Sequence, residues 1–320
     1  MADSLHSGPV TTADTGPAGD DVDAPAAGIE VTESRTARVG SVTVRRALPR
    51  RARRSIGAWC FVDHMGPMAV TADGGIDIGP HPHMGLQTVT WLLAGEVLHR
   101  DSLGSEQAIR PGQLNLMTAG EGVSHAEEGT GRDTGALHGV QLWVAQPERT
   151  RHGEPAFEHH AALPRVEIGR ATATVIVGAL EGAVSPARRD SDHLGLDLDL
   201  GAGETALPLQ PGCEHGLVVL AGAVEVQGQI VEPGHLAYLG PGRDECRLAV
   251  REPTRALLIG GVPLEEPLLM WWNFVARTRD EVGAAYRQWT ADDGRFGRVR
   301  SSLPRVPTGP PPWMVDGPRL

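Results

Sequence analysis

Cysteine is nearly absent from this chain: three residues, Cys60, Cys213 and Cys246, lie far apart among 320, and an odd, scattered set frames no disulfide scaffold. A reducing compartment is implied. No run of about 18 apolar residues, the length that crosses a bilayer as a helix, occurs anywhere, and the first residues lack the basic-then-apolar order of a secretory signal. The expectation is a soluble, cytoplasmic protein with no membrane partner. Positive charge is the minority sign, 29 Lys and Arg against 40 Asp and Glu for a net of -11, so the chain as a whole does not attract phosphate backbones and direct nucleic-acid binding is not expected. The one basic run, RRALPRRARRS from Arg45 to Ser55, reads as a solvated, arginine-studded strand and turn. Large apolar side chains are also scarce in residues 1–28, which read as a disordered acidic tail.

What is present is turn chemistry and alternation. The chain's 41 Gly and 25 Pro separate short segments such as SVTVRRAL and QLNLMTAG whose apolar residues recur every second position, the mark of half-buried strands. The rhythm is all-β, and it runs twice. RPGQLNLMTAGEG (110–122) and EPGHLAYLGPGRD (232–244) share a Pro-Gly turn, an alternating strand and a second glycine-bearing turn. The expected division is a domain at 29–146, a second at 147–276, and a helix with a Pro-rich tail at 277–320. The helix is expected over Thr278–Trp289, where Val282, Ala285, Tyr286 and Trp289 share a face and Thr278-x-x-Glu281 forms a capping box. The prolines around Trp313 predict an extended strap.

The stretch GPHPHMGLQ (79–87) puts His81 and His83 at i and i+2, so in a strand both imidazoles share a face. GVSHAEEG does the same for His125 and Glu127, whereas Glu128 falls on the opposite face. The 42 residues from His83 to His125 allow the chain to cross a small barrel several times and return beside its start, so that three imidazoles and one carboxylate converge inside. A lone H-x-H is more often a turn decoration than a ligand pair; the second same-face pair is what points to metal. Two neutral-histidine pairs alone would suit Zn, while three imidazoles, a carboxylate and room for exchangeable ligands suit Fe(II), Mn, Ni, Co or Cu, which sequence cannot rank.

The other candidates carry less. His64, next to Asp63, is expected to hydrogen-bond, and His99, His138, His152, His159 and His160 are expected at the surface. Met84, Leu86, Trp91, Met117 and Trp143 are candidates for pocket walls, with plain core the expected role for most of them. Cys213 and His215 repeat the i, i+2 spacing with His235 downstream, but they lack a fourth ligand and read as structural.

Taken in order, FVDHMGP, GPHPHMGLQTVTWLLAGEVLHRDSLG, RPGQLNLMTAGEGVSHAEE, GVQLWVAQP and IGGVPLEEPLLMWWNFVARTRDEV resemble the pirin family of the cupin superfamily. The resemblance implies an all-β bicupin: two antiparallel double-stranded β-helix barrels with a short C-terminal helix, and a metal in the N-terminal barrel only. It places the ligands on His81, His83, His125 and Glu127 and makes iron(II) the expected ion. The implied activity is that of a quercetin 2,3-dioxygenase, taking a small aromatic hydroxyketone and dioxygen, with Glu127 as acceptor of the hydroxyl proton. The alternative it implies is a metal- and redox-dependent regulator that binds a metabolic enzyme or a transcription factor as protein partner. One position departs from the pattern: Gln87 stands where a glutamate is usual, and an amide can act only as a hydrogen-bonding group.

Overall fold

The computed structural model describes residues 28–40, 42–70, 76–132 and 135–315, so the expected N-terminal tail lies, but for Gly28, outside the described residues. The alternating segments form strands throughout, and they assemble twice in one order. In the first barrel a seven-stranded antiparallel sheet runs Ala156–His160, Leu114–Thr118, Leu86–Ala94, Gly135–Ala145, Trp59–Val70, Val42–Leu48, Arg35–Val39. Its companion sheet of four runs Ile78–His83, Val123–Glu128, Val97–Asp101, Glu106–Ile109. The second barrel repeats this with Glu30–Glu33, His235–Leu239, Glu214–Ala221, Thr254–Gly261, His193–Leu200, Ala171–Val177, Arg165–Ile168. Its four-stranded sheet is Gly203–Pro208, Glu245–Val250, Val224–Val226, Gln229–Val231. The all-β, two-barrel expectation holds.

The expected division at 146/147 is crossed in both directions. Glu30–Glu33, from before the first barrel, pairs with His235–Leu239 at the edge of the second. Ala156–His160, from after the first barrel, pairs with Leu114–Thr118 at the edge of the first. Each large sheet therefore ends on a short strand taken from beyond its own barrel's run, which pairs the ladders of His235–Leu239 and Leu114–Thr118 and leaves only four or five residues at that edge.

Between the barrels the outer faces of the two large sheets pack together: Trp59, Val89, Trp91 and Leu142 from one meet Ile176, Val218, Leu236 and Ile259 from the other. Trp59 is fully buried there, and its indole N–H donates to the carbonyls of Leu194 (3.0 Å) and Gly260 (3.2 Å) of the second barrel. Burial of that ring with its one polar atom satisfied stabilises the contact by about 3 kcal/mol. Glu214 adds a polar fastening, accepting from the Gly57 amide (2.6 Å) and the Tyr238 hydroxyl (2.8 Å).

The helix spans Arg279–Ala291, with the Thr278 hydroxyl accepting from the Glu281 amide as its cap. It buries Val282, Ala285 and Trp289, while Tyr286 is only half-buried. The strap follows without regular structure to a short 3-10 turn at Pro312–Met314, and its Val306 amide donates to Pro80 O (2.9 Å). Thus the end of the chain returns to the first barrel, beside the H-P-H segment.

Candidate metal centre

His81 and His83 lie on the Ile78–His83 strand, and His125 on the neighbouring Val123–Glu128 strand directly opposite His81. The i, i+2 spacing therefore does what pleat geometry demands. One ring nitrogen from each of the three falls within 4.8 Å of the other two, and all three residues are buried. The ring centroids of His81 and His125 are 4.3 Å apart, and Nε2 of His83 faces Nε2 of His125 at 3.1 Å.

The second nitrogen of each ring has a partner. Nδ1 of His81 donates to Gly79 O (2.9 Å) and Nδ1 of His83 to Asn273 O (3.1 Å). For His125 the partner is a third side chain: Nδ1 lies 3.3 Å from Nδ1 of His99, whose Nε2 is 3.1 Å from the Asp101 carboxylate. Burial raises Asp101, but the bonds from His99 and Ser105 outweigh it and leave its pKa below the usual value. An ionised Asp101 accepts a hydrogen bond from His99 Nε2–H, His99 Nδ1 then accepts from His125 Nδ1–H, and the lone pair of His125 Nε2 is left facing His83. These tautomers follow from the network. Burial also pushes the imidazoles down, His81 to about 4 and His83 and His125 well below the ordinary range, so near neutrality all three are uncharged. Lone pairs aimed at one another at 3.1 Å repel unless a cation lies between them, which is the fit expected of a metal site.

Glu127 lies beside this set but not in it. Between His125 and Glu127 the pairing with Ile78–His83 slips by one residue, setting Glu127 opposite Ile78. The carboxyl is buried, lines the same cavity as the histidines, and is pushed up by burial to about 7, the Thr90 hydroxyl opposing that shift. Glu128 points the other way and pairs with Arg100.

The cavity over the centre holds about 590 Å³. Its aromatic wall is the stacked pair Phe61 and Trp143, centroids 4.1 Å apart. Of the five wall candidates only Trp143 lines it; Leu86 and Met117 pack in the apolar cluster behind, Trp91 between the barrels, and Met84 against Phe274. Gln87 is fully buried and donates to the Thr118 hydroxyl (2.9 Å), away from the cavity lining.

The surface expectation is overturned for His99, met only in part by His138, His159 and His160, and met by His152. His99 is not a surface group: it is 4% exposed, stacked on Phe157 at 4.4 Å, and bonded to His125 and Asp101. The signal was available, because Asp101 stands at i+2 and shares its strand face. His138 is half-buried, its Nε2 2.8 Å from that of His64, the bonding partner anticipated for His64 but not its identity. His159 and His160 are half-buried too, hydrogen-bonded to Asn115 and Glu158, while His152 is exposed. Sequence reasoning also missed the Asn273 carbonyl, since a backbone acceptor carries no residue-type signature.

Two family models match the chain: that for pirin over residues 41–144 and that for the pirin C-terminal cupin domain over residues 195–297. A Pseudomonas aeruginosa protein that bears the name quercetin 2,3-dioxygenase as a provisional designation is 47% identical, covering 87% of this chain and 88% of its own. A pirin-like protein of Caulobacter vibrioides is 37% identical over 82% of this chain and 92% of its own. A crystal structure of quercetin 2,3-dioxygenase from Acinetobacter baumannii matches with a TM-score of 0.87 at 42% identity, covering 90% of this chain and 97% of that one.

Proposed function

This chain belongs to the pirin family, a bicupin by its two matched barrels, and from that premise we propose that it is an iron(II)-dependent dioxygenase opening flavonol-type hydroxyketones with release of carbon monoxide. The observation that carries the reading is the convergence of three neutral imidazoles at an aromatic-walled cavity. His81, His83 and His125 would hold the ion, with Glu127 as fourth ligand once its side chain turns toward them. When bound, iron supplies a Lewis acid that lowers the pKa of a substrate hydroxyl and positions to take both substrate and dioxygen.

The chain's own residues supply the rest. Phe61, sandwiched between Trp143 and the Arg46 guanidinium, holds the Trp143 ring in place as an apolar wall beside the reacting end. Glu127, raised by burial to about 7 while no ion is bound, would take the phenolic proton as its side chain turns off the ion and return it later, the work of a general base. Gly79, Asn273 and the Asp101–His99 pair keep the three rings turned so that their free nitrogens converge.

The test is turnover. Protein loaded with iron(II) under anaerobic conditions, given quercetin and then oxygen, is expected to consume dioxygen and release carbon monoxide in equal amounts, and His125→Ala to do neither. No turnover of any of several flavonols by the iron-loaded protein would overturn this reading and leave the regulatory one.

A further inference from the structure

The mouth of the cavity is lined with cations in a chain whose net charge is -11. Arg35, Arg38, Arg46 and Arg54 all line it. Arg46 is already used: its guanidinium is held by both oxygens of Asp63 (2.7 and 2.6 Å) and lies over Phe61 at 4.4 Å. The other three are exposed, and among the described residues none of them forms an ion pair. Among the described residues the acids of the same cavity only partly offset them: Asp63 is taken by Arg46 and Glu127 is buried among the histidines, which leaves Asp77, bonded by the Gly129 amide (3.0 Å), as one carboxylate against three free guanidiniums.

The positive rim continues outward. A second cavity of about 470 Å³ shares Arg35, Pro49 and Arg54 with the first and adds Arg50, Arg51 and Arg53. Arg53 is spoken for by Glu30 (2.7 Å) and the Tyr238 ring; Arg50 and Arg51 form no ion pair among the described residues. The basic run at 45–55 thus has a place: it turns around the entrance to the histidine cavity.

Unpaired guanidiniums crowded at one rim repel each other, and an anion relieves that repulsion while accepting from their planar forks. The wall below them is aromatic and the floor is the three-histidine centre. A ligand that answers all three zones is a planar aromatic with a metal-seeking oxygen pair at one end and a carboxylate, sulfate or sulfonate at the other. A nucleic acid answers poorly, since the remaining surface of this acidic chain repels a phosphate polymer.

We infer that this cavity selects anionic aromatic substrates, with Arg35, Arg38 and Arg54 reading the negative group at the mouth. The inference rests on the dioxygenase reading for which end of the ligand enters first, but its test does not depend on turnover. Iron(II)-loaded protein is titrated without oxygen, following tryptophan fluorescence, with quercetin and with quercetin carrying a sulfonate on its catechol ring. The wild type is expected to prefer the sulfonate, and the triple variant Arg35→Gln/Arg38→Gln/Arg54→Gln to lose about tenfold of that preference, a modest contribution from each exposed cation. The charge-keeping Arg→Lys triple should retain most of it. Raising salt from about 20 mM to about 500 mM should erode the wild-type preference, because the screening length then falls below the width of the rim.

A wild type without preference for the sulfonate, or a preference unchanged in the glutamine triple, overturns the inference. Preference without any oxygen consumption when air is admitted would sustain this inference and remove the dioxygenase reading; turnover without preference would do the reverse.

Discussion

In the first barrel the strands Ile78–His83 and Val123–Glu128 turn His81, His83, His125 and Glu127 inward around a cavity of about 590 Å³. The strands in the same places of the second barrel, Gly203–Pro208 and Glu245–Val250, turn Leu207, Leu248 and Val250 into one continuous apolar cluster. There the pocket beside His193, Cys213 and His215 has room for about 10 Å³. The backbone order is the same, so the barrel does not dictate chemistry; the residues at a handful of inward positions do. One barrel is packed solid and supplies stability. The other gives up packing for a polar interior whose groups must each be satisfied.

The largest effect that would sharpen this contrast is at the centre itself. His125→Ala should lower metal-dependent turnover by at least about 100-fold with little change in the apo melting temperature, read by metal analysis, oxygen uptake and circular dichroism. If the apo variant unfolds instead, the two barrels do not divide chemistry from stability as argued. On the other side, Leu248→Ala should cost about 2–5 kcal/mol in urea unfolding and leave metal affinity where it was.

Smaller changes test the ligand-orienting partners. His99→Leu should weaken metal binding by about 10–100-fold, measured by chelator competition, since His125 Nδ1 then lacks its acceptor, and Asp101→Asn by less, since His99 stays but loses the ionised partner that fixes its tautomer. An unchanged affinity would mean that the acceptor on Nδ1 contributes nothing to holding the His125 ring for the ion. The smallest expected effect is on pH. Burial raises the Glu127 carboxyl to about 7, so in the folded apo protein it holds a proton between its ordinary value and about 7 that the unfolded chain has lost. Metal must displace that proton. Affinity should therefore climb with pH up to about 7 and level off above, and Glu127→Gln should flatten the climb; the histidines, lowered by burial, add no step there.

Much of this was readable because strands repeat every second residue. His81 with His83 and His125 with Glu127 needed only that rule, and the helix at Arg279–Ala291 announced itself through Thr278 and Glu281. The same rule applied to His99 and Asp101 would have found the support of His125. The exchanged edge strands were not readable: Glu30–Glu33 meets His235–Leu239 across some two hundred residues, and nothing local in either segment names its partner. Nor was the division of walls from core, because Trp91 and Trp143 share one kind of strand pattern and differ only in which face of the sheet each covers.

The centre is built from the middle of the first half but completed by the far end of the chain. Asn273 supplies the acceptor for His83, Phe274 bridges to Met84, and the Phe296 carbonyl accepts from Ser124, next to His125. Gly85 allows that approach: with φ of 70°, it sits where a side-chain carbon would stand 2.2 Å from the Val275 carbonyl oxygen. As the polypeptide leaves the ribosome, the three histidines emerge long before the segment that locks them in place. Maturation of the centre is therefore a late event in the life of the nascent chain, and a fragment ending after the first barrel would carry every histidine of the centre and still lack the latch that aligns them.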